Sequence, residues 1–283
     1  MMESSGNTER TVAIVGAGTM GAGIAQLAAR HGWRVLLKDV DGPTVQKAIS
    51  GIRKRLDRLV EKERITQAQA DAAGGRIEIA LGPEALAEAS LVIEAIVEEL
   101  GVKTAVLSEI VPGLTGDCII ATNTSSLSVS ELGDAIDEPK RTVGMHFFNP
   151  APLMKLVEVV AGRETDASVV ERVSEVARAW GKEVALASDE PGFIVNHVAR
   201  PYYLEAFRIL EDGLATPKQI DHAMTELGGF RMGPLSLTDL IGQDVNTKTT
   251  RSVWEQLDQP PLLHPSRLQE QLVADGHLGR KTG

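Results

Sequence analysis

The chain has 283 residues, of which 43% are hydrophobic and only 4% aromatic, and it carries a net charge of −10. A chain of this length can bury a large core in one domain or in two unequal ones, and its low aromatic content favours an α/β fold over a β-sandwich. The acidic balance argues against a nucleic-acid partner, because phosphate binding needs a concentrated basic surface.

The sequence contains a single cysteine, Cys118. It leaves no disulfide within the chain and no multi-cysteine cluster, so no metal is expected. The N-terminus lacks the pattern of a secretion signal, and no apolar run approaches the roughly 20 residues that span a bilayer. These features predict a soluble, cytoplasmic protein without a membrane partner.

The chain begins with an apolar strand pattern that leads into a glycine-rich turn and an Ala-rich helix pattern. Gly16, Gly18 and Gly21 have the spacing that brings a helix N-terminus to a dinucleotide pyrophosphate. The next strand pattern ends at Asp39, whose carboxylate would accept hydrogen bonds from the adenosine ribose and repel a 2′-phosphate. This unit predicts NAD as the cofactor, and a purely structural glycine turn is the alternative.

Apolar residues recur every three or four positions between residues 44 and 64, which predicts a long amphipathic helix. Its polar face carries more basic than acidic residues, although the whole chain is acidic. A solvated helix with local ion pairs accounts for this pattern. The functional alternative is a surface for a phosphorylated group such as that of coenzyme A. A turn rich in Ala and Gly is expected next, before a strand at residues 76–81.

Polar residues follow two further strand patterns. The apolar run 91–97 is typical of a buried parallel strand, and Glu98 and Lys103 come after it. The run 118–122 leads into Asn123–Ser126, which groups an amide with three hydroxyls. Ligands of open α/β sheets bind beyond the carboxyl ends of strands, so these residues are candidate ligands. Exposed charges and helix caps are the alternatives.

A strand pattern delivers His146 into a Phe-Phe-Asn-Pro turn, and a second strand pattern carries Glu158. An imidazole and a carboxylate on neighbouring strands can form a general base that works near neutral pH. The carboxylate orients the imidazole and stabilises its protonated form. For this spacing alone, a buried structural histidine and a surface carboxylate are the alternative.

The pattern changes near residue 188, because only helical periodicity follows. The expected helices cover residues 193–212, 217–227, 235–257 with a break, and 266–275. We therefore predict an α/β protein with a Rossmann-type, mostly parallel sheet domain at residues 1–188 and an all-helical domain at residues 189–283. The helical part is small to be stable alone, so its apolar faces predict packing against the first domain and a homodimer.

Several segments resemble the L-3-hydroxyacyl-CoA dehydrogenase family, which includes bacterial 3-hydroxybutyryl-CoA dehydrogenases. The matching segments are VAIVGAGTMGAGIAQ, LVIEAIVEELGVK, ATNTSSLSVSEL, VGMHFFNPAPLMKLVEVV, PGFIVNHVARPYYLEA and GGFRMGPLSLTDLIGQDV. The resemblance covers almost the whole chain from Val12 onward. Details such as VARPYYLEAFRILEDG are similar to the subgroup that serves phenylacetate degradation, whose substrate would be a hydroxyacyl-CoA such as 3-hydroxyadipyl-CoA. Members of that subgroup often carry a further helical domain.

The resemblance implies an oxidoreductase that moves a hydride from C3 of an L-3-hydroxyacyl-CoA to NAD. His146 would be the catalytic base and Glu158 its partner, while Ser125 and Asn196 would contact the reacting oxygens of the substrate. The residues that would line the NAD site are Gly16, Gly18, Gly21, Asp39, Glu98, Lys103 and Asn149. The residues that would meet the coenzyme A phosphates are Arg55 and Lys62.

Other functions remain open on the sequence. A family member could oxidise a free hydroxy acid or a sugar acid. The β-hydroxyacid dehydrogenases also combine an NAD-binding domain with a helical tail, but they use a lysine in place of a His–Glu pair. From a different class, the chain could be a non-catalytic NAD-binding or structural protein.

Overall fold

The computed structural model describes residues 10–283, which form two compact units. The first unit ends at Asp189 and the second begins at Glu190. The first unit is built on one mostly parallel sheet flanked by helices, and the second unit is helical. The predicted fold class is therefore confirmed.

One eight-stranded sheet organises the first unit. Its strands in chain order are β1 (Thr11–Val15), β2 (Arg34–Lys38), β3 (Ile77–Ile79), β4 (Leu91–Glu94), β5 (Ile119–Thr122), β6 (Thr142–Phe147), β7 (Leu156–Ala161) and β8 (Glu183–Ser188). They lie side by side in the order β3-β2-β1-β4-β5-β6-β7-β8. All neighbours are parallel except β6 and β7, which are antiparallel. The carboxyl ends of β1, β4, β5 and β6 therefore share one edge.

Helices cover both faces of the sheet. The helices of the first unit are α1 (Thr19–Arg30), α2 (Gly42–Glu61), α3 (Gln67–Gly75), α4 (Leu100–Ile110), α5 (Val129–Ala135) and α6 (Ala167–Ala179). Successive residues of β1 enter different cores: Ile14 belongs to one apolar cluster, and Val15 belongs to another. Because successive strand side chains point to opposite faces, each face of β1 packs against its own core.

The stretch expected as an Ala- and Gly-rich turn is the helix α3, so that prediction was wrong. Thr66 caps this helix, since its hydroxyl accepts a hydrogen bond from the Gln69 amide. The Gln69 side chain in turn accepts from the Thr66 amide. This reciprocal capping box satisfies two amides at the helix start, which offsets the poor helix propensity of its glycines.

The second unit contains five α-helices, and a π-helical turn (Ala223–Leu227) continues the second of them. The five α-helices are α7 (Val195–Glu211), α8 (Pro217–His222), α9 (Pro234–Ile241), α10 (Gln243–Gln256) and α11 (Arg267–Ala274). Phe207, Ile220 and Leu235 form one small apolar core, and Leu204 with Val253 belongs to a second one. None of the helices in residues 10–283 combines the length and apolar content that crossing a membrane requires.

Candidate active site

The glycine turn after β1 has the geometry that its spacing predicts. Gly16 adopts φ +108°, a region that favours glycine, and a Cβ there would lie 2.5 Å from the Ala95 oxygen. A Cβ on Gly21 would lie 1.8 Å from the Gly16 oxygen, so only glycine lets α1 approach the turn this closely. Gly18 differs, because a Cβ on it would meet no atom within 4 Å. Gly18 therefore borders open space at the N-terminus of α1.

Asp39 lies beside this turn. One carboxylate oxygen accepts a hydrogen bond of 2.5 Å from the Ala17 amide, and the other accepts one of 2.7 Å from the Val40 amide. The helix start can face a pyrophosphate while Asp39 accepts from ribose hydroxyls. The residues present therefore fit NAD.

His146 and Glu158 lie opposite each other on the antiparallel strands β6 and β7. Residues paired in this way project on the same face of a sheet, and His146 Nδ1 lies 2.6 Å from Glu158 Oε2. His146 is 6% exposed and Glu158 is fully buried. The ring of Phe148 packs against the imidazole at a centroid distance of 4.5 Å. The alternative of a surface carboxylate at Glu158 was wrong.

Ser125 and Glu98 meet at the same edge of the sheet. The Ser125 amide and hydroxyl donate to Glu98 Oε1 over 2.8 and 3.1 Å, and the Thr124 hydroxyl donates to the same oxygen over 2.7 Å. Burial alone would raise the pKa of Glu98, but the charge of Lys103 and these hydrogen bonds outweigh it and lower the pKa below its ordinary value. Glu98 is therefore an ionised acceptor that holds the hydroxyl-rich loop.

Lys103 is 1% exposed, so the alternative of an exposed charge was wrong for this residue. Its ammonium lies 2.7 Å from a Glu94 oxygen and 3.3 Å from a Glu98 oxygen. Glu94, which is fully buried, also accepts from the Thr122 hydroxyl. Sequence reasoning missed Glu94 because it stands inside an apolar run. The sequence signal that could have revealed Glu94 is an acidic residue inside a buried strand pattern, because a buried charge needs a partner.

Two further polar residues hold this edge together: Asn123, which the sequence already marked as a candidate, and Asp189, which sequence reasoning missed. Asn123 accepts a hydrogen bond of 2.9 Å from the Phe147 amide through its side-chain oxygen, and so fixes the end of β6. Asp189 accepts from the Val129 and Ser130 amides at the start of α5, over 2.8 Å each. Caps of this kind leave little pattern in a single sequence, because their partners are distant along the chain.

A cavity of about 310 Å³ opens beside α1, α2 and the loop after β6. Its lining includes Arg55 and Asn149, and also Arg30 and Arg58. Arg55 is tied to α1, because its Nε donates to the Gln26 side chain over 2.7 Å. Within residues 10–283 no ion pair joins the basic side chains of α2 to acidic ones. The local ion pairs expected of a solvated helix are therefore not found.

The two remaining predicted residues, Lys62 and Asn196, stand at the ends of helices. Lys62 is the exposed C-cap of α2 and is not among the residues that line the cavity. Asn196 belongs to the second unit, in the first turn of α7. Its backbone carbonyl accepts from Arg200 Nε over 3.0 Å, and its side-chain oxygen lies 3.4 Å from Arg200 Nη2.

Comparison with known protein families decides what kind of protein carries this site. A family model described as "3-hydroxyacyl-CoA dehydrogenase, NAD binding domain" matches residues 11–190, and one described as "3-hydroxyacyl-CoA dehydrogenase, C-terminal domain" matches residues 192–283. The chain belongs to the 3-hydroxyacyl-CoA dehydrogenase family. The resemblance found in the sequence motifs is thus confirmed, and so is NAD as the cofactor of the family's first domain.

Relatives in this 3-hydroxyacyl-CoA dehydrogenase family match nearly the whole chain. It is 47% identical, over 97% of its length, to the 3-hydroxyadipyl-CoA dehydrogenase of Escherichia coli, and it spans 58% of that protein. It is 38% identical to the 3-hydroxybutyryl-CoA dehydrogenase of Bradyrhizobium diazoefficiens, and this match covers 96% of the chain and 93% of the relative. The crystal structure of (S)-3-hydroxybutyryl-CoA dehydrogenase from Ralstonia eutropha superposes with a TM-score of 0.93 at 39% identity, covering 97% and 96% of the two chains.

Proposed function

We propose that the protein is an NAD-dependent dehydrogenase that oxidises an L-3-hydroxyacyl-CoA to the 3-oxoacyl-CoA. The observation that carries this proposal is the buried His146–Glu158 pair, which lies 2.6 Å apart at the edge of a sheet whose glycine turn and Asp39 fit NAD. Oxidation of an alcohol needs both a hydride acceptor and a base. The glycine turn and Asp39 suit the hydride acceptor, and the His146–Glu158 pair suits the base.

The hydrogen bond to Glu158 determines which nitrogen of the neutral imidazole carries the hydrogen. A carboxylate only accepts, so His146 Nδ1 carries the hydrogen of this bond. Neutral imidazole has one protonated nitrogen, so Nε2 is the basic one. His146 is therefore set to remove a proton through Nε2, and Glu158 stabilises the imidazolium that forms.

The reaction couples this proton transfer to the loss of hydride from the same alcohol. NAD, when bound, supplies the acceptor for the hydride from C3 of the substrate. His146 takes the hydroxyl proton in the oxidation and returns it in the reduction. Asn196 would donate a hydrogen bond to the reacting oxygens, and so would the Ser125 hydroxyl once it turns away from Glu98. A well-aimed donor of this kind is worth on the order of a hundredfold in rate.

The remaining assigned residues serve binding in this proposal. The side chains and glycines proposed for NAD are Gly16, Gly18, Gly21, Asp39, Glu98, Lys103 and Asn149. Arg55 and Lys62 are proposed to meet the coenzyme A phosphates, and the cavity that Arg55 lines leaves room for a ligand there. Basic side chains that lie on a single helix can bind the phosphates of one coenzyme A molecule.

The acyl group is proposed to be dicarboxylic. The E. coli relative, at 47% identity, is named for 3-hydroxyadipyl-CoA, whose acyl chain ends in a carboxylate. Because the chain spans 58% of that protein, this substrate is a proposal for the present sequence.

We also propose a cytoplasmic homodimer formed through the second unit. The unit exposes apolar side chains on neighbouring helices, among them Leu240 and Val245, each 50% exposed. Burial of such side chains favours association. Burial also raises the pKa of the Cys118 thiol to about 11, so the one cysteine is unsuited to a disulfide between copies. A monomer mass in light scattering would contradict the dimer.

An NADH-absorbance assay with acyl-CoA substrates of graded length tests the function. We expect turnover with 3-hydroxybutyryl-CoA and longer L-3-hydroxyacyl-CoAs and little with free 3-hydroxybutyrate. Turnover confined to free hydroxy or sugar acids would assign the chain to that alternative. No NADH formation with any substrate would favour a non-catalytic NAD-binding protein.

A further inference from the structure

Arg200 of α7 is a buried cation without a carboxylate partner. It is 3% exposed, and no Asp or Glu of residues 10–283 forms an ion pair with it. The ring of Tyr203 lies 5.1 Å from the guanidinium carbon. Burial lowers the pKa of Arg200 to about 10, which still leaves the side chain charged at neutral pH. A buried charge is costly unless another charge compensates it.

The hydrogen bonds of Arg200 leave part of its donor capacity unused. Nε donates to the Asn196 carbonyl, and Nη1 donates to the Asn246 carbonyl over 3.2 Å and to the Thr250 hydroxyl over 2.9 Å. Nη2 reaches only the Asn196 side-chain oxygen, at 3.4 Å, which is longer than a typical N–H···O bond. Since Nη2 carries two hydrogens, at least one donor has no acceptor among the described residues.

Asn246 adds a second unmatched donor next to Arg200. The residue is 2% exposed, and its side-chain oxygen accepts from the Gln269 amide over 3.0 Å. Its Nδ2 is buried and has no hydrogen-bond partner among residues 10–283. Buried donors without acceptors are rare in proteins, because each costs the lost hydration of the group. Arg200 and Asn246 therefore offer donors to an acceptor, and the charge of Arg200 favours an anion.

We propose that Arg200 and Asn246 bind the distal carboxylate of a dicarboxylic acyl chain and so determine the preference for such substrates. This inference rests on the proposed function, in which Asn196 contacts the reacting oxygens. Arg200 lies one helical turn after Asn196 and touches its side chain, so the guanidinium is adjacent to the proposed position of C3.

The length of the acyl chain agrees with this placement. In a six-carbon diacid the terminal carboxyl carbon is three bonds from C3, or about 4 Å with bonds of about 1.5 Å. A carboxylate at that distance beyond Asn196 can pair with Nη2. An apolar chain of the same length would instead press a methyl group against a buried cation and leave both donors unmatched.

The test compares two substrates that differ only at the far end, 3-hydroxyadipyl-CoA and 3-hydroxyhexanoyl-CoA. We expect the wild type to prefer the diacid. In R200M the ratio of the two kcat/KM values should fall by roughly ten- to hundredfold, as expected when a charge-assisted hydrogen bond is removed. R200K keeps the charge without the planar fork, and should retain part of the preference.

R208M is the matched control, since it makes the same substitution on the same helix. Arg208 pairs with Glu205 and donates to the Leu262 carbonyl, and one third of its side chain is exposed. Its substrate ratio should equal that of the wild type. An unchanged ratio in R200M would overturn the inference, even if both kcat/KM values fall by the same factor. If R200M fails to fold, an unchanged ratio in R200K has the same consequence.

Calorimetry with adipyl-CoA and hexanoyl-CoA separates this inference from the proposed function. Neither compound has the 3-hydroxyl group, so binding is measured without turnover. Tighter binding of adipyl-CoA by the wild type, lost in R200M but not in R208M, would support the carboxylate site even if no hydroxyacyl-CoA is oxidised. Equal binding of the two compounds would overturn the inference even if the enzyme is active.

Discussion

Two buried pairs at the same edge of the sheet join a carboxylate to a nitrogen base, and they differ in what surrounds them. The Glu94–Lys103 contact measures 2.7 Å and the His146–Glu158 contact 2.6 Å. Glu94 also accepts from the Ile96 amide and the Thr122 hydroxyl, and Lys103 also pairs with Glu98. The lysine pair is thus held by the end of β4, the loop that follows it and the end of β5.

The chemistry of the two bases explains why one pair is suited to catalysis. The ordinary pKa of a lysine side chain lies far above neutral pH, whereas that of a histidine side chain lies close to it, so an imidazole gains and loses a proton more readily. Distance and burial alone therefore do not identify a catalytic pair. A catalytic pair is identified by a base that can gain and lose a proton. Replacing the partners one at a time separates the catalytic role from the structural one.

The largest effect on turnover is expected for H146Q. Glutamine is similar in size but cannot take the substrate proton, so kcat should fall by roughly 10² to 10⁴, the range of general acid–base catalysis. The affinity for NAD, measured by fluorescence titration, should be unchanged. Near-normal turnover would remove His146 from the mechanism.

E94Q should mainly affect stability. It leaves the buried Lys103 without its closest counter-charge, and breaking such a pair costs about 3–5 kcal/mol in the free energy of unfolding. The measurement is urea unfolding, with E78Q as the control. Glu78 pairs with Arg34 at the surface, so its loss should cost less than about 1 kcal/mol. Equal losses for the two variants would contradict the distinction between these pairs.

A smaller loss of turnover is expected for E158Q. The amide can still accept a hydrogen bond from His146 but no longer stabilises the imidazolium by its charge, so kcat should fall by roughly a hundredfold. Steady-state kinetics beside H146Q checks this order. A double variant should lose little more than H146Q alone, because Glu158 acts through the imidazole. Additive losses would show that Glu158 acts independently.

The smallest effect concerns acid stability. The pKa of Glu98 is lowered in the folded protein, so this carboxylate adds stability above its unfolded pKa, and the contribution is lost as pH falls through the folded pKa. E98Q should therefore lose stability at neutral pH and show a weaker decline on acidification. Thermal unfolding between pH 7 and pH 3 measures the difference. Parallel curves for E98Q and the wild type would contradict this assignment.

The sequence predicts the parts of the site that local patterns determine. Gly16, Gly21 and Asp39 belong to one βαβ unit, so a short segment contains both their spacing and its reason. The change to purely helical periodicity likewise predicts the helical second unit. Local pattern failed for α3, where the capping signal of Thr66 and Gln69 outweighs an Ala- and Gly-rich composition.

Sequence patterns alone left contacts across the sheet open, because these contacts depend on register and on residues far apart in the chain. His146 meets Glu158 only because β6 and β7 are antiparallel with these two residues in register. Arg200 is similar, since only the structure shows that it forms no ion pair within residues 10–283. The sequence paired His146 with Glu158 as a hypothesis, whereas it gave no sign of the role of Arg200.

The most direct test of the proposed chemistry uses L-3-hydroxybutyryl-CoA with deuterium at C3. With the wild type and NAD, we expect each NADH formed to carry one deuterium, and we expect H146Q to form the same labelled product far more slowly. NADH without deuterium, or no NADH from any hydroxyacyl-CoA, would contradict hydride transfer from C3 with His146 as the base.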